Sequence, residues 1–408
     1  MGSWKGKFVT IFTGQLFSIL TSSMVQFAII WHLTASTGSA IVLMLAGLAG
    51  FLPQAILGPF IGVWLDRWNR KKTMIIADGA IAFFSLLLGL YYFLGNPSLA
   101  VVYVILAIRS TASSFHAPAF QAAVPLIAPQ EELTRVAGWQ QMVFSVSTVF
   151  GPALGIAVLE ASSLAFVLFL DVLGALIANT TLAFVKIDQP KADLTEKPSF
   201  VHEFRIGWNS FVQEKPIVLI SIGAAVFGIA FMPLATLFPL MTYSHFERGG
   251  FSASLIEAVF SVGMIVGGVL LGVIGSKWKD ATYMFWSLVV IGLTCVFSGI
   301  LSKEVFFLFV VLSFLMGFAA PFLNGPYMAM IQKAYAPEKL GRVISIITSI
   351  QLLSSPIGLA MAGPVVERWG VTTWFFWGGV VTILTGIVVF LIYRQMDTKG
   401  LEVHNEKG

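Results

Sequence analysis

The chain has 408 residues, of which 57% are hydrophobic and only 11% are charged, and its formal net charge is +4. Soluble domains carry roughly 25% charged residues, and a soluble chain of this length divides into domains joined by polar linkers. The composition therefore excludes a soluble globular protein and indicates a membrane protein.

Twelve apolar runs follow one another along the chain. Each has about 20 residues or more, which is long enough for a helix to cross a hydrocarbon core of roughly 30 Å. The predicted spans cover residues 8–33, 40–64, 73–95, 98–119, 137–159, 164–185, 215–241, 252–275, 281–301, 304–331, 340–363 and 372–393. The first run is too long for the core of a signal peptide, so we expect it to be kept as span 1. The sequence predicts an all-α polytopic membrane protein with twelve transmembrane helices.

The positions of the basic residues indicate the orientation of the spans. With an even number of spans both termini lie on one side, and 20 of the 24 Lys and Arg residues fall on that side. Arg248, Lys303 and Arg368 lie on the other side, and Arg109 lies within a span. Because positively charged loops stay in the cytoplasm, we expect a multi-pass protein of the bacterial inner membrane with both termini cytoplasmic. The positive net charge then follows from topology and does not indicate nucleic-acid binding.

A weak internal repeat divides the chain into two halves of six spans. Pro118 and Pro129 recur 208 positions later, and four other residues recur 210 positions later. Those four pairs are Gly58 and Gly268, Gly62 and Gly272, Trp68 and Trp278, and Met74 and Met284. The longest polar stretch separates the halves and predicts a six-helix bundle over residues 1–186, a cytoplasmic linker over 187–214 and a second bundle over 215–408. Two pseudo-symmetric six-helix bundles resemble the major facilitator fold, in which a central site opens alternately to the two sides.

The loop after span 2 carries the most specific motif. Gly62 is followed by Asp66, Arg67, Arg70 and Lys71, in an order that resembles the major facilitator signature between helices 2 and 3. Glycine lets helices approach closely, aspartate can pair with arginine, and a basic run can hold anionic headgroups. The resemblance implies a gating latch, and the alternative is a basic loop that only sets the orientation.

A second motif lies in span 5, where the sequence reads Gly151-Pro152-Ala-Leu-Gly155. It resembles the Gly-Pro element of drug-exporting major facilitators. Glycine and proline bend a helix and permit tight packing. The resemblance implies a gating element, and the alternative is an ordinary packing kink.

Five ionisable residues lie inside the apolar spans: Asp78 in span 3, Arg109 and His116 in span 4, Asp171 in span 6 and Glu257 in span 8. Charged side chains are expensive at this depth and mark functional sites or internal pairs. Arg109 resembles the helix-4 arginine of proton-coupled drug exporters, and it lies in the same half as Asp171, with which it could pair. Proton coupling and a structural ion pair remain alternatives, and His116 is either a proton carrier or a packing residue.

The major facilitator fold implies that helices 1, 4, 7 and 10 line the substrate cavity. The predicted cavity wall combines polar residues of spans 1 and 4 with aromatic and amide residues of spans 7 and 10: Gln15, Ser22, Gln26, Ser113, Phe227, Phe231, Phe318, Asn324 and Tyr327. An apolar, aromatic wall with few polar groups suits bulky amphiphiles. Interhelical hydrogen bonds and ordinary packing are the alternative roles. Breaks in spans 7 and 10 are predicted at Pro233, Pro239, Pro321 and Pro326.

Short segments distributed from span 1 to span 11 carry a closer resemblance. They include Gly50-Phe51-Leu52-Pro53, Phe115-His116-Ala117-Pro118-Ala119 and Leu340-Gly341-Arg342-Val343. Together they are similar to the macrolide-efflux branch of bacterial major facilitators. The similarity implies export of lipophilic or amphiphilic, macrolide-like drugs in exchange for protons, within membrane lipid. Span 1 carries Gln15 and Gln26 where drug exporters often carry an acid, so the identity of the coupling acid stays open.

Other functions fit the sequence less well. Transporters of lysophospholipids or siderophores share this fold, but a lipid flippase would favour a basic headgroup cluster inside the spans. Uptake of a polar nutrient would need several charged or amide residues in spans 7 and 10, where Asn324 is accompanied only by hydroxyl groups. A sensor would need a soluble effector domain, and the sequence has no catalytic constellation, no Cys/His metal cluster and no phosphate-binding loop. We therefore expect no enzyme activity and no cofactor, and ATP-driven transport would need a partner protein that the sequence does not require.

Overall fold

Twelve helices of the described chain are long and apolar enough to cross a membrane. The computed structural model describes residues 4–95, 97–187, 200–275, 277 and 279–405. The number and order of the spans predicted from hydropathy are therefore confirmed, as is the all-α fold class.

Six helices form the first half, and most of them extend beyond the predicted apolar runs because a helix continues into the polar boundary of the membrane. They are α1 Trp4–Thr37, α2 Ala40–Arg67, α3 Arg70–Leu94, α4 Leu99–Ala123, α5 Leu133–Ala161 and α6 Leu164–Phe184. Short 3₁₀ turns at Val124–Leu126 and Gln130–Glu132 connect α4 to α5. Asn69 begins α3 by accepting a hydrogen bond from the Lys72 backbone N–H, as N-cap residues do.

Seven helices follow in the second half. They are α7 Phe200–Gln213, α8 Lys215–Leu240, α9 Gly250–Ile274, α10 Asp280–Ile300, α11 Phe306–Ala334, α12 Pro337–Trp369 and α13 Val371–Asn405. A π-helical turn at Met241–His245 continues α8, and a 3₁₀ turn at Lys303–Val305 precedes α11.

Helix α7 lies inside the segment 187–214 that polarity predicts to be a linker. Its residues Phe204, Trp208 and Val212 recur every four positions, share one face and are exposed. Away from this face, Gly207 packs closely against Arg342 and Ile346 of α12. The segment is therefore partly an amphipathic helix attached to the second half.

Residue contacts divide the chain into two compact units. The first comprises Met1–Thr195 together with Arg248–Ala258, and the second comprises Glu196–Glu247 together with Val259–Gly408. The segment Arg248–Ala258 groups with the first unit because Ala253 packs against Trp31 and Ile156. These contacts place the segment differently from the sequence-based division, which assigns every residue after 214 to the second bundle.

Glycines bring α5 and α6 close to α1 in the first unit. A Cβ atom at Gly155 would lie 2.6 Å from the backbone oxygen of Met24, and one at Gly174 would lie 3.1 Å from that of Phe17. Real Cβ atoms do not approach backbone oxygens as closely as the first of these distances, so the α1–α5 contact requires glycine at position 155. The close packing fixes the height of α1 relative to both neighbours.

Helices α8 and α11 run without interruption through their internal prolines, so the predicted breaks are wrong. Pro233 and Pro239 lie inside α8, and Pro321 and Pro326 lie inside α11. Membrane helices tolerate proline because neighbouring groups and local adjustments satisfy the freed backbone carbonyls.

Candidate functional site

An ion pair lies in the interior of the first unit. Arg109 Nη1 of α4 donates a hydrogen bond of 2.6 Å to Asp171 Oδ2 of α6, and the two side chains are only 8% and 2% exposed. Ser85 of α3 donates to the same carboxylate oxygen at 2.8 Å, and Ser22 of α1 donates to Asp171 Oδ1 at 2.9 Å. We call these four residues the ion-pair layer. The pairing that the sequence left open is present, and it links four helices through one carboxylate.

A second buried pair lies two helical turns away. Asp78 precedes Ser85 on α3 by seven residues, so these two side chains share one face of α3. His116 follows Arg109 on α4 by seven residues, so these two share one face of α4. His116 Nε2 is 3.3 Å from Asp78 Oδ1, without the geometry of a hydrogen bond. Asp78 is 2% exposed. Both pairs join an acid to a base across neighbouring helices of one unit.

Two basic residues of the predicted latch bind the ends of helices. Arg70 Nη1 donates to the backbone oxygen of Ala122 at 2.9 Å, in the last turn of α4. Lys71 Nζ donates to the backbone oxygens of Ala183 and Val185 at 2.9 and 2.8 Å, at the end of α6. Cations stabilise the C-terminal ends of helices, where carbonyl groups lack partners. The side chains therefore hold helices of the first unit together, whereas the basic sequence predicted contacts with lipid headgroups.

The remaining latch residues are Gly62, Asp66 and Arg67. They lie in the last turns of α2, and their side chains are outside the described part of the structure.

The Gly-Pro motif packs α5 against α1. A Cβ atom at Gly151 would collide with the Ser23 side chain, and Gly155 lies against Met24. Pro152 is buried inside α5, which continues through it. The motif therefore provides a close helix contact in this structure, and its gating role stays a prediction.

Three predicted cavity residues come together in the second unit. Phe227 of α8 and Asn324 and Tyr327 of α11 line one cavity of about 820 Å³, which includes the space at its open mouth. Its walls are mostly apolar, and the Tyr327 hydroxyl group is 2.8 Å from that of Ser221. Gln351 of α12 and Tyr393 of α13 also line it. Neither residue is predictable from the family layout, which assigns the cavity to helices 1, 4, 7 and 10.

Other predicted cavity residues lie elsewhere. Phe231 stacks on Phe227 with ring centroids 4.9 Å apart, and Phe318 lines a separate apolar groove with Phe322. Ser113 is half-buried on α4, and Gln26 is exposed on α1.

Gln15 does not line an open cavity, so this prediction is wrong. The residue is 1% exposed, and its neighbour Gly14 packs closely against Ala178 and Thr181 of α6. Glu257 is half-buried on α9 and belongs to neither of the two pairs.

One family model and several relatives match nearly the whole chain. Residues 11–280 and 220–407 match the family model described as Major Facilitator Superfamily. The chain is 39% identical over 402 residues to macrolide efflux protein A of Streptococcus pyogenes, an alignment that covers 97% of this chain and 99% of the relative. It is 38% identical over 325 residues to macrolide efflux protein A of Enterococcus faecalis, covering 79% of this chain and 100% of the relative.

A solved structure shares the fold. The crystal structure of nucleoside transporter NupG superposes with a TM-score of 0.73, covers 95% of this chain and 98% of its own, and is 11% identical in sequence. At this identity the likeness concerns the fold alone. Because both halves of the chain match one family model, and because relatives align along nearly its whole length, the chain belongs to the major facilitator superfamily of multi-pass membrane transporters.

Proposed function

We propose that this protein exports lipophilic, macrolide-like drugs by alternating access, in exchange for protons. The observation that carries the proposal is the 39% identity to a macrolide efflux protein over 97% of the chain. The alignment extends through both units, so it spans the regions that would contact the substrate and the protons.

The cavity of the second unit supports a bulky, apolar substrate. Ligand sites for such molecules are mostly apolar and contain a few polar groups that orient the ligand. Phe227, Met232 and Leu323 provide apolar walls, and Asn324 and Tyr327 provide polar contacts. A polar nutrient would find few hydrogen-bond partners on these walls.

The ion-pair layer supports coupling to protons. A proton that binds Asp171 would cancel its charge and weaken its attraction for Arg109. Loss of one partner from a buried pair costs roughly 3–5 kcal/mol, because the other charge is left uncompensated. The carboxylate accepts hydrogen bonds from α1, α3 and α4, so protonation would loosen three helix contacts at once. Proton binding would thereby change the relative stability of two arrangements of the helices.

The basic end of the first unit supports the predicted orientation. We define this end as the one at which α1 and α3 begin, where Arg70 and Lys71 lie. The positive-inside rule assigns it to the cytoplasm. Arg70 and Lys71 would then act as a latch that clamps the cytoplasmic ends of α4 and α6.

Drug accumulation in cells tests the proposal. A labelled macrolide is supplied to a bacterium that lacks its own efflux pumps, with and without this protein, before and after a protonophore. We expect the protein to lower intracellular drug several-fold and the protonophore to abolish the difference. Asp171→Asn should abolish export, whereas Asp280→Asn, a matched change in an ion pair with the exposed Lys333, should retain it.

Two results would contradict the proposal. Equal accumulation with and without the wild-type protein would exclude macrolide export, and the same assay with a lysophospholipid and a siderophore would then test the alternative substrates. Export that persists after the protonophore would exclude proton coupling but leave drug export intact.

A further inference from the structure

The second buried pair is part of a larger set of polar residues at one depth. Helices α3 and α6 run in opposite directions, and Ser85 bonds Asp171 while Lys71 bonds the backbone of Ala183. Residues before Ser85 on α3 therefore lie at the same depth as residues the same number of positions after Asp171 on α6. Seven residues before Ser85 and eight residues after Asp171, Asp78 and Asn179 reach the same depth.

Helix α1 adds a third residue at this depth. Gly174 of α6 lies against Phe17 and Thr21, whereas Gly14 lies against Ala178 and Thr181. The two contacts fix the register of α1 on α6 and place Gln15 level with Asn179. Together with His116, which is 3.3 Å from Asp78, these residues form what we call the lower polar layer: Gln15, Asp78, His116 and Asn179.

The lower polar layer leaves five buried atoms without hydrogen-bond partners among the described residues: Gln15 Nε2, Gln15 Oε1, Asp78 Oδ2, His116 Nε2 and Asn179 Oδ1. Buried polar atoms in proteins almost always have partners, and in the dry interior of a membrane protein an orphan is particularly costly. The ion-pair layer, two turns away, satisfies both carboxylate oxygens of Asp171 with protein donors. The two layers therefore differ in what they need from outside the protein.

The mixture of atoms identifies the missing partner. Gln15 Nε2 is a donor and needs an acceptor, whereas Gln15 Oε1, Asp78 Oδ2 and Asn179 Oδ1 are acceptors and need donors. A metal cation would satisfy only the oxygens. Water donates and accepts, and buried water typically makes about three hydrogen bonds to otherwise unsatisfied groups.

The second unit has open space at the corresponding positions. The repeat aligns Asp78 with Leu288 and His116 with Asn324, at the offsets of 210 and 208 that relate the halves. Helices α6 and α13 begin 207 residues apart, which aligns Asn179 with Gly386. Leu288, Asn324 and Gly386 all line the cavity of the second unit. The equivalents of three residues of the lower polar layer thus line open space in the second unit.

We propose that Gln15, Asp78, His116 and Asn179 enclose ordered water that carries protons between the basic end of the first unit and Asp171. The proton path rests on the proposed proton coupling, whereas the enclosed water does not. Besides Asp78 and His116, the buried titratable residues described in the first unit are Asp171 on α6 and Arg109 on α4, which lie two helical turns away. The described side chains of α2 and the middle of α1 add none.

Thermal unfolding of the purified full chain tests the water by the sign of a shift. In a dry layer, Gln15→Met and Asn179→Leu would remove unsatisfied groups and raise the Tm. In a hydrated layer they would remove hydrogen bonds to water, so we expect the Tm to fall. Thr180→Val, an exposed change on α6, is the matched control and should leave the Tm unchanged. A rise for both variants would overturn the proposal.

Radiolytic labelling gives a second, independent reading. Hydroxyl radicals formed by X-rays from bound water oxidise the nearest side chains, which mass spectrometry then identifies. We expect His116 to be labelled although it is nearly buried, and Gln15→Met combined with Asn179→Leu to reduce that labelling several-fold. The buried Cys295 of the second unit is the control for a dry interior, because thiols react rapidly wherever radicals form. Labelling of His116 no greater than that of Cys295 would overturn the proposal.

Transport in proteoliposomes separates the two halves of the inference. We expect Gln15→Leu to slow proton-driven drug transport about tenfold and to leave drug exchange without a proton gradient unchanged. If His116 is labelled but Gln15→Leu does not slow proton-driven transport, the layer holds water but does not carry protons. If the wild-type protein moves drug without protons, the proposed coupling and the path fail together, and the labelling result still decides the water.

Discussion

The two units repeat one architecture but fill their interiors with different chemistry. The first unit buries Arg109 and Asp171 as an ion pair, with side chains less than one-tenth exposed. In the second unit the pair of Lys333 and Asp280 lies at the surface. Phe238 is surrounded there by other aromatic rings, with centroids about 6 Å away. The buried ion pair therefore belongs to the first unit, whereas the ion pair described in the second unit lies at the surface.

The repeat identifies what replaces the ion pair in the second unit. Arg109 aligns with Gly317 and Asp171 aligns with Gly378. Gly317 packs against the backbone oxygen of Phe260, and a Cβ atom at Gly378 would lie 3.3 Å from that of Ala230. The same positions therefore serve either to hold a charge between helices or to let helices touch.

The largest expected effect comes from breaking the buried ion pair. Asp171→Ala should lower the free energy of unfolding by about 3–5 kcal/mol, because Arg109 is left buried without a counter-charge. The double variant Arg109→Leu with Asp171→Leu, which makes the first unit as apolar as the second, should recover most of that loss. Denaturant unfolding of the purified protein measures both. If Asp171→Ala were as stable as the double variant, the loss would not come from the uncompensated charge of Arg109.

Close helix contacts should behave alike in the two units. Gly155 packs against Met24 in the first unit, and Gly358 packs against the backbone oxygen of Ile229 in the second. Gly155→Ala and Gly358→Ala should each cost roughly 1–3 kcal/mol through overpacking. Gly138→Ala, also on α5 but with no atom within 4 Å of the added methyl group, is the control and should not destabilise. Unequal losses for the first two variants would show that the units tolerate crowding differently.

A smaller effect is expected from a polar contact of the second unit. Tyr327→Phe removes the hydrogen bond to Ser221 Oγ, which still donates to the backbone oxygen of Ile217. Because no group is left unsatisfied, the loss should be about 0.5–1.5 kcal/mol. A double-mutant cycle with Ser221→Ala measures it, and additive losses would mean that the two hydroxyl groups do not interact.

The smallest effect should come from the exposed ion pair. Lys333→Ala removes a contact of 2.6 Å with Asp280, but the lysine side chain is 67% exposed. Surface pairs of this kind contribute roughly 0.2–1 kcal/mol and weaken as salt is added. Thermal unfolding at low and high ionic strength provides the measurement. A salt-independent loss as large as that of Asp171→Ala would remove the distinction between the units.

Hydropathy was sufficient to predict the twelve spans, because a membrane helix needs about 20 apolar residues wherever it packs. It could not predict α7, which is amphipathic and only 14 residues long. The four-residue spacing of Phe204, Trp208 and Val212 was the available signal. The positive-inside rule likewise gives the side of Arg70 and Lys71 but not their partners, which are carbonyl groups at the ends of other helices.

The candidate site was only partly predictable, because a single sequence does not give the rotation of a helix. Arg109 and Asp171 were recognisable as possible partners, since both charges lie at similar depth in one half. Gln15 and Gln26 belong to one polar stripe in sequence, yet Gln15 is buried and Gln26 is exposed. The close contact of α1 with α6 at Gly14 lies beside Gln15, and the sequence alone does not give its position.

The seven-residue interval between the two polar pairs restricts how the length of this gene can change. One inserted codon between Asp78 and Ser85 would turn one side chain by about 100° relative to the other, since a helix advances 3.6 residues per turn. Asp78 would then face away from His116 while Ser85 still faced Asp171. We therefore expect homologous genes to differ in sequence between the codons of Asp78 and Ser85 but to keep the number of codons between them. Insertions should be confined to the connections between helices.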